Sequence, residues 1–335
     1  MKKFIYLACT VLFTACATTT KMDSTQAQED TAPVAEPMVS VSDGVLDRSK
    51  PPLPGPAPEI QLGTYESFTL ENGMKVFVVE NHKLPRVAFS LLLDVDPILE
   101  GDKAGYISTA GDLLSRGTTS RTKAELDEEV DFIGASLSSS AGGVFGSSLT
   151  KHQDKVLELM SDVLLNPSFP QSELDKIKKE TISGLQANKE DANAIAQNVR
   201  GVLRYGKDHP YGELITEKTV ANITLEDCKK YYHTYFKPNI AYMGIVGDIN
   251  KAEAEVLVKK YFGEWKSGEV PKHNYLAPEA PAKTTVAMVD RPQSVQSVVN
   301  ITYPIILKPG EPDVIKARVM NTILGGGFSS NWMQN

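Results

Sequence analysis

The sequence predicts an α+β fold with an antiparallel or mixed sheet. Three features carry this reading. Residues 68 to 70 and 75 to 79 are β-rich runs joined by Asn72-Gly73, a dipeptide that favours a tight hairpin turn. Between residues 122 and 236 the chain shows a succession of capped, helix-periodic segments. A strand-like run at 240 to 246 and one more helix follow them. Strands first, helices next and no strict βαβ alternation argue against a doubly wound parallel sheet.

Each element has its own local reason. Residues 87 to 95 form an apolar run long enough for a buried strand. Thr122-Lys123-Ala124-Glu125 is a capping box, and Leu126, Val130 and Ile133 follow at helical spacing until Gly134 ends the helix. Residues 137 to 149 are rich in Ser and Gly and read as a strand pair. Val156, Leu157, Met160, Val163 and Leu164 share one helical face, which Asn166-Pro167 closes. A long helix, or a broken pair, is expected from 172 to about 203. A further helix is expected from 224 to 236, a strand from 240 to 246 and a helix from 250 to 262.

The 335 residues carry 35 Lys and Arg against 42 Asp and Glu, a net charge of −7. An acidic chain of mixed charge lacks the dense cationic face that nucleic acid requires, so no nucleic-acid partner is expected. Three cysteines cannot build a disulfide framework. Lys2 and Lys3 precede an apolar run from 4 to 13 that is too short to span a bilayer, and small residues then lead to Cys16. Residues 1–16 therefore read as a signal peptide of lipoprotein type, with Cys16 the lipidated residue and the membrane reached through its lipid. Residues 17–60, including the Pro-rich stretch 51–58, read as an extended tether with a reach of roughly 35 Å. Residues 61–267 form the first domain, 268–283 a linker, and 284–335 the start of a second domain. Strands are expected there at 284 to 289 and 295 to 303, and a helix at 312 to 324.

The chemistry-bearing residues are sparse. No two of His82, His152, His209, His233 and His273 lie within a helical turn, so no His-x-x-Glu-His or His-Glu-x-x-His motif exists. Cys228 and His233 are five apart on one helix, which sets them about 140° around it, so Cys228 reads as a small buried residue. His209 in the turn His209-Pro210-Tyr211-Gly212 reads as a backbone hydrogen-bonding residue. Gly325-Gly326-Gly327 lacks the Lys that would make it a phosphate loop and reads as a turn.

Seven segments in order nevertheless resemble one family. The run 105–118 (GYISTAGDLLSRGT) resembles the active-site helix of the insulinase/pitrilysin metallopeptidases. Leu70 to Val76 is similar to their first strand, and 122–137 to the next helix and its exit. Residues 205–212 resemble their His-Pro-Tyr-Gly turn, and 224–248 their closing helix and strand. Residues 290–296 and 323–330 resemble landmarks of their second domain. The resemblance implies zinc in active members, held by two histidines of His-x-x-Glu-His and a glutamate on a later helix. The motif's own glutamate activates water. The corresponding positions here are Ser108, Gly111 and Asp112, with Gly184, to within a turn, at the later ligand. No catalytic residue, metal or cofactor is therefore expected. The resemblance implies a non-catalytic subunit that forms chamber wall and peptide-binding surface for a zinc-bearing catalytic homologue. The expected setting is the periplasm, with a lipid anchor in the outer membrane. It also implies that the second domain is truncated, since about 50 residues follow the linker where roughly 150 to 200 are usual for a domain. Two alternatives are an active metallopeptidase with an atypical site built from Asp112 and Glu180, and an envelope scaffold unrelated to proteolysis.

Overall fold

A computed structural model describes residues 63–326, apart from 303, 304, 306 and 309. The signal, the tether and Cys16 lie outside the described residues. The strands are β1 Glu66–Thr69, β2 Lys75–Glu80, β3 Arg86–Leu93, β4 Ser136–Ser140, β5 Gly143–Leu149 and β6 Ala241–Gly247. They form one six-stranded sheet in the order β1-β2-β6-β3-β5-β4. Only the β2–β6 pair is parallel; the other four pairs are antiparallel. The mixed, largely antiparallel sheet, with helices packed on it, that the resemblance to the insulinase/pitrilysin metallopeptidases implies is the one observed.

The helices are α1 Tyr106–Leu114, α2 Lys123–Phe132, α3 Gln153–Leu165, α4 Gln171–Asn188, α5 Ala192–Tyr205, α6 Glu217–Asn222, α7 Leu225–Tyr235, α8 Lys251–Phe262 and α9 Pro312–Gly325. Alternation along the strands sends Val76, Val78, Val87, Phe89, Leu91, Met243 and Ile245 to one face, where all are buried. Leu157, Leu159, Met160, Val163 and Leu164 of α3 join them in a single core. Burying one such side chain stabilises the fold by about 1.5–3 kcal/mol, so this layer holds the molecule together.

Local signals explain most boundaries. Thr122 accepts from the Glu125 amide while the Glu125 carboxylate accepts from Thr122, the reciprocal cap expected at α2. The region 172–203 resolves as the broken pair. Asp191 ends the first member's influence by accepting from the Asn193 and Ala194 amides at the start of α5. The short α6 was not foreseen, because six residues show no usable period, although Thr216 caps it in the same reciprocal way.

The expected strands at 284 to 289 and 295 to 303 are not formed across the described residues, 284–302. Val286, Met288, Val295, Val299 and Ile301 stand exposed. Alternating apolar residues make a strand only against a ladder partner and a packed face, and this stretch has neither. The expected helix is present as α9, but none of its residues is buried.

Candidate functional site

The site begins with the loop that feeds α1. Glu100 folds back over the helix start, its carboxylate accepting from the amides of Gly105 (3.0 Å) and Ile107 (2.8 Å). Glu213, just after the His209–Gly212 turn, accepts in turn from the amides of Glu100 and Gly101. Two acidic residues thus satisfy donors at a helix N-terminus, where negative charge is favoured. Burial pushes the Glu100 carboxyl above its usual range, against the pull of those backbone hydrogen bonds. These partners lie 113 residues apart, so no local pattern reveals them.

Within α1 the four-residue spacing puts Ser108 and Asp112 on the exposed side, one turn apart, while Thr109, Ala110, Gly111, Leu113 and Leu114 face inward. The Ser108 hydroxyl donates to the Gly105 carbonyl at 3.0 Å, so it serves its own helix. Gly111 meets the β4–β5 turn directly. A Cβ at that position would stand 2.0 Å from the Ala141 nitrogen and 2.2 Å from the Ser140 carbonyl carbon. The contact is fastened from both sides. The Ser139 hydroxyl donates to the Gly111 carbonyl at 2.7 Å, and the Tyr231 hydroxyl of α7 donates to the Ala141 carbonyl at 3.0 Å.

The second half of the site is α4. Gly184 is exposed, and a Cβ there would meet nothing within 4 Å. Arg116, just beyond α1, reaches α4 with its two terminal nitrogens 3.7 Å from the Glu173 and Glu180 carboxylates. The Asp112 carboxyl is pushed up by partial burial and by the Glu180 charge, while Arg116 pulls the other way. Asp112 and Glu180 are therefore electrostatic neighbours, and the cation they share is the guanidinium.

These residues do not fit a zinc ion. The four positions offer one carboxylate, one hydroxyl already donating to backbone and two glycines without a donor atom. Among the described residues no three His, Cys, Asp or Glu side chains come together in a way that could hold a metal. The histidines are spread through the fold. His82 pairs with Asp248 at 2.7 Å, His209 accepts from the Tyr211 amide at 3.1 Å, and His273 pairs with the Tyr235 hydroxyl at 2.7 Å. Cys228 is fully buried beneath α1, and burial pushes its thiol to about 12, which makes it inert at neutral pH.

Sequence reasoning also missed the Arg121 hub. Its guanidinium bonds Glu129, Glu158 and Asp162, and the Asp162 carboxylate further accepts from Thr118 and Ser120. The hub ties the loop between α1 and α2 to the core helix α3, which fixes the direction in which α1 ends.

Comparison with known proteins places this geometry. Residues 222–335 match the family described as the peptidase M16 inactive domain. An uncharacterized zinc protease, YmxG of Bacillus subtilis, is 22% identical over 275 residues, covering 80% of this chain and 66% of its own length. The chain is a homologue of the M16 peptidases. It spans less than two thirds of the length of this M16 relative, and 43% of the Helicobacter pylori protein called non-peptidase homolog YmxG, to which it is 22% identical over 187 residues. The solved M16 inactive domain of Pseudomonas fluorescens shares the fold, with a TM-score of 0.67 and 21% identity over 81% of this chain and 67% of that one. Within this M16 homologue the insulinase-type zinc motif is missing from the sequence.

Proposed function

We propose that this chain is a non-catalytic M16-type subunit that supplies wall and peptide-binding surface to a zinc-bearing catalytic homologue. The observation that carries the reading is the closure at Gly111. The position that the resemblance assigns to the water-activating glutamate is filled by the backbone of residues 140 and 141. A site with neither a metal-binding set nor a proton acceptor at the base position does not activate water for peptide hydrolysis.

The scaffold around the lost site keeps a feature suited to peptides. β4 is an edge strand that pairs only with β5, and Ser136, Ser138 and Ser140 point outward along it. An open edge accepts an extended peptide as an added strand through main-chain hydrogen bonds. A row of serines leaves room for any side chain opposite. The N-terminal sequence supports export to the periplasm with Cys16 lipidated and the body tethered to the outer membrane.

The reading is tested by co-purification and reconstitution. A homologue with an intact His-x-x-Glu-His should be captured with this chain, and peptide hydrolysis should require both. Full activity of that homologue alone, unchanged by adding this chain, would overturn the proposal.

A further inference from the structure

Residues 263 to 275 are fastened to the first domain along their length. Asn72 donates through its side-chain amide to the carbonyls of Phe262 (2.8 Å) and Trp265 (3.2 Å). Trp265 is buried, and the Gly268 amide donates to the Asn239 side chain at 3.1 Å. The His273 amide donates to Asp96 at 3.0 Å, while its ring pairs with the Tyr235 hydroxyl. The Leu99 amide donates to the Tyr275 hydroxyl at 3.0 Å. The fastening stops there. Leu276 is 93% exposed, and residues 276–283 make no hydrogen bond to the body among the described residues.

Beyond this free stretch one side chain returns to the body. Arg291 donates to the Lys189 carbonyl at 3.1 Å and to the Glu190 carboxylate at 2.7 Å. Both acceptors lie in the turn between α4 and α5. Among the described residues these are the only hydrogen bonds joining residues 276–326 to the rest of the chain. Glu190 is exposed, and the Arg291 side chain is one-quarter exposed.

We infer that residues 276–283 are the joint of this protein and that Arg291, on the α4–α5 turn, is a salt-sensitive latch that holds the following segment against the first domain. Residues 268–275, by contrast, are a fixed strap. The latch is weak by construction. An ion pair whose carboxylate stands in solvent, as Glu190 does, shifts an equilibrium only a few-fold and is screened by salt, which suits a contact made and broken repeatedly. Its place matters because α4 also carries Glu173 and Glu180, the partners of Arg116 at the end of α1. Opening the latch removes one restraint from the α4–α5 turn, which directly follows the helix that borders the degenerate site, while Lys189 keeps its pair with Glu217.

The test is a distance measurement in the full chain. Spin labels go on cysteines at the exposed positions Asp175→Cys in α4 and Ser297→Cys beyond the latch. Cys9→Ser and Cys16→Ser remove the leader thiols, and Cys228 is buried. In low salt the parent should show one dominant distance. Arg291→Gln should lower the ratio of that population to the longer ones by about two- to five-fold. Raising sodium chloride to 1 M should do the same to the parent and nothing further to the variant. The charge swap Arg291→Glu with Glu190→Arg should recover most of the dominant population. Identical distributions in the parent, Arg291→Gln and high salt would overturn the latch. Equal broadening for a label pair at Asp175→Cys and Asn274→Cys would overturn the division between strap and joint.

Discussion

Gly111 and Gly184 are both helical glycines at positions that the resemblance assigns to glutamates, and they should respond in opposite directions to the same substitution. At Gly111 a methyl group would start about 1.4 Å inside the 3.4 Å at which ordinary contact begins, and the obstacle is backbone. Relief requires α1 and the β4–β5 turn to part. Overpacking of this kind destabilises by about 1–3 kcal/mol. Parting also strains the Ser139–Gly111 and Tyr231–Ala141 hydrogen bonds, each contributing about 1 kcal/mol. Alanine's helix preference returns about 1 kcal/mol. The net loss for Gly111→Ala is about 2–4 kcal/mol, or a fall in Tm of about 5–15 °C for a body of this size. Gly184→Ala meets open space and should gain about 0.5–1 kcal/mol, raising Tm by about 1–4 °C. Calorimetry on the two single variants decides the matter. If Gly111→Ala melts at or above the parent temperature, the base position is not closed and the argument against catalysis loses its support.

Other perturbations read out different parts of the molecule. A three-ligand graft of Ser108→His, Asp112→His and Gly184→Glu should fold and take up zinc by elemental analysis, and adding Gly111→Glu should cost it the fold; a stable four-fold graft would contradict this. Asp162→Ala removes one of the three carboxylates on Arg121 and leaves the Thr118 and Ser120 hydroxyls without their acceptor, and should destabilise by about 1–3 kcal/mol in urea unfolding at pH 7. Burial pushes the Asp162 carboxyl up, but hydrogen bonds from Thr118, Ser120, Arg121 and Asn166 outweigh it and hold the group below its usual value. Its stabilisation is therefore fully present above about pH 4 and is lost as pH falls through the depressed folded value, so melting curves of the parent and Asp162→Asn should draw together as the pH is taken below about 4. Cys16→Ser should release the protein from membranes or stall its processing, and unchanged fractionation would exclude lipidation.

The legible parts of the fold were those written in local code. The Asn72-Gly73 turn, the Thr122 cap and the α3 face each lie within a few residues of sequence, and each appears as read. The position of β6 was not legible, because pairing with both β2 and β3 depends on residues about 160 positions away. In the site, the absence of a histidine pair could be read at once. The reason Gly111 is glycine could not, since the Ala141 backbone that crowds it arrives from another element. The strands expected at 284 to 303 show the limit of pattern alone, since alternation marks a capacity to pair and does not supply the partner.

The placement of β6 also governs how the chain acquires its structure. β1 and β2 form one ribbon and β3, β5 and β4 another, and the two are joined only through β6. Until residue 247 is available, the strands from β1 to β5 can pair only as two unjoined ribbons. Closing the sheet means inserting the last strand between two that were made long before it, so the contacts are non-local and assembly is slow. The proposed export would draw on that schedule, because an unclosed sheet leaves the chain threadable until β6 has arrived.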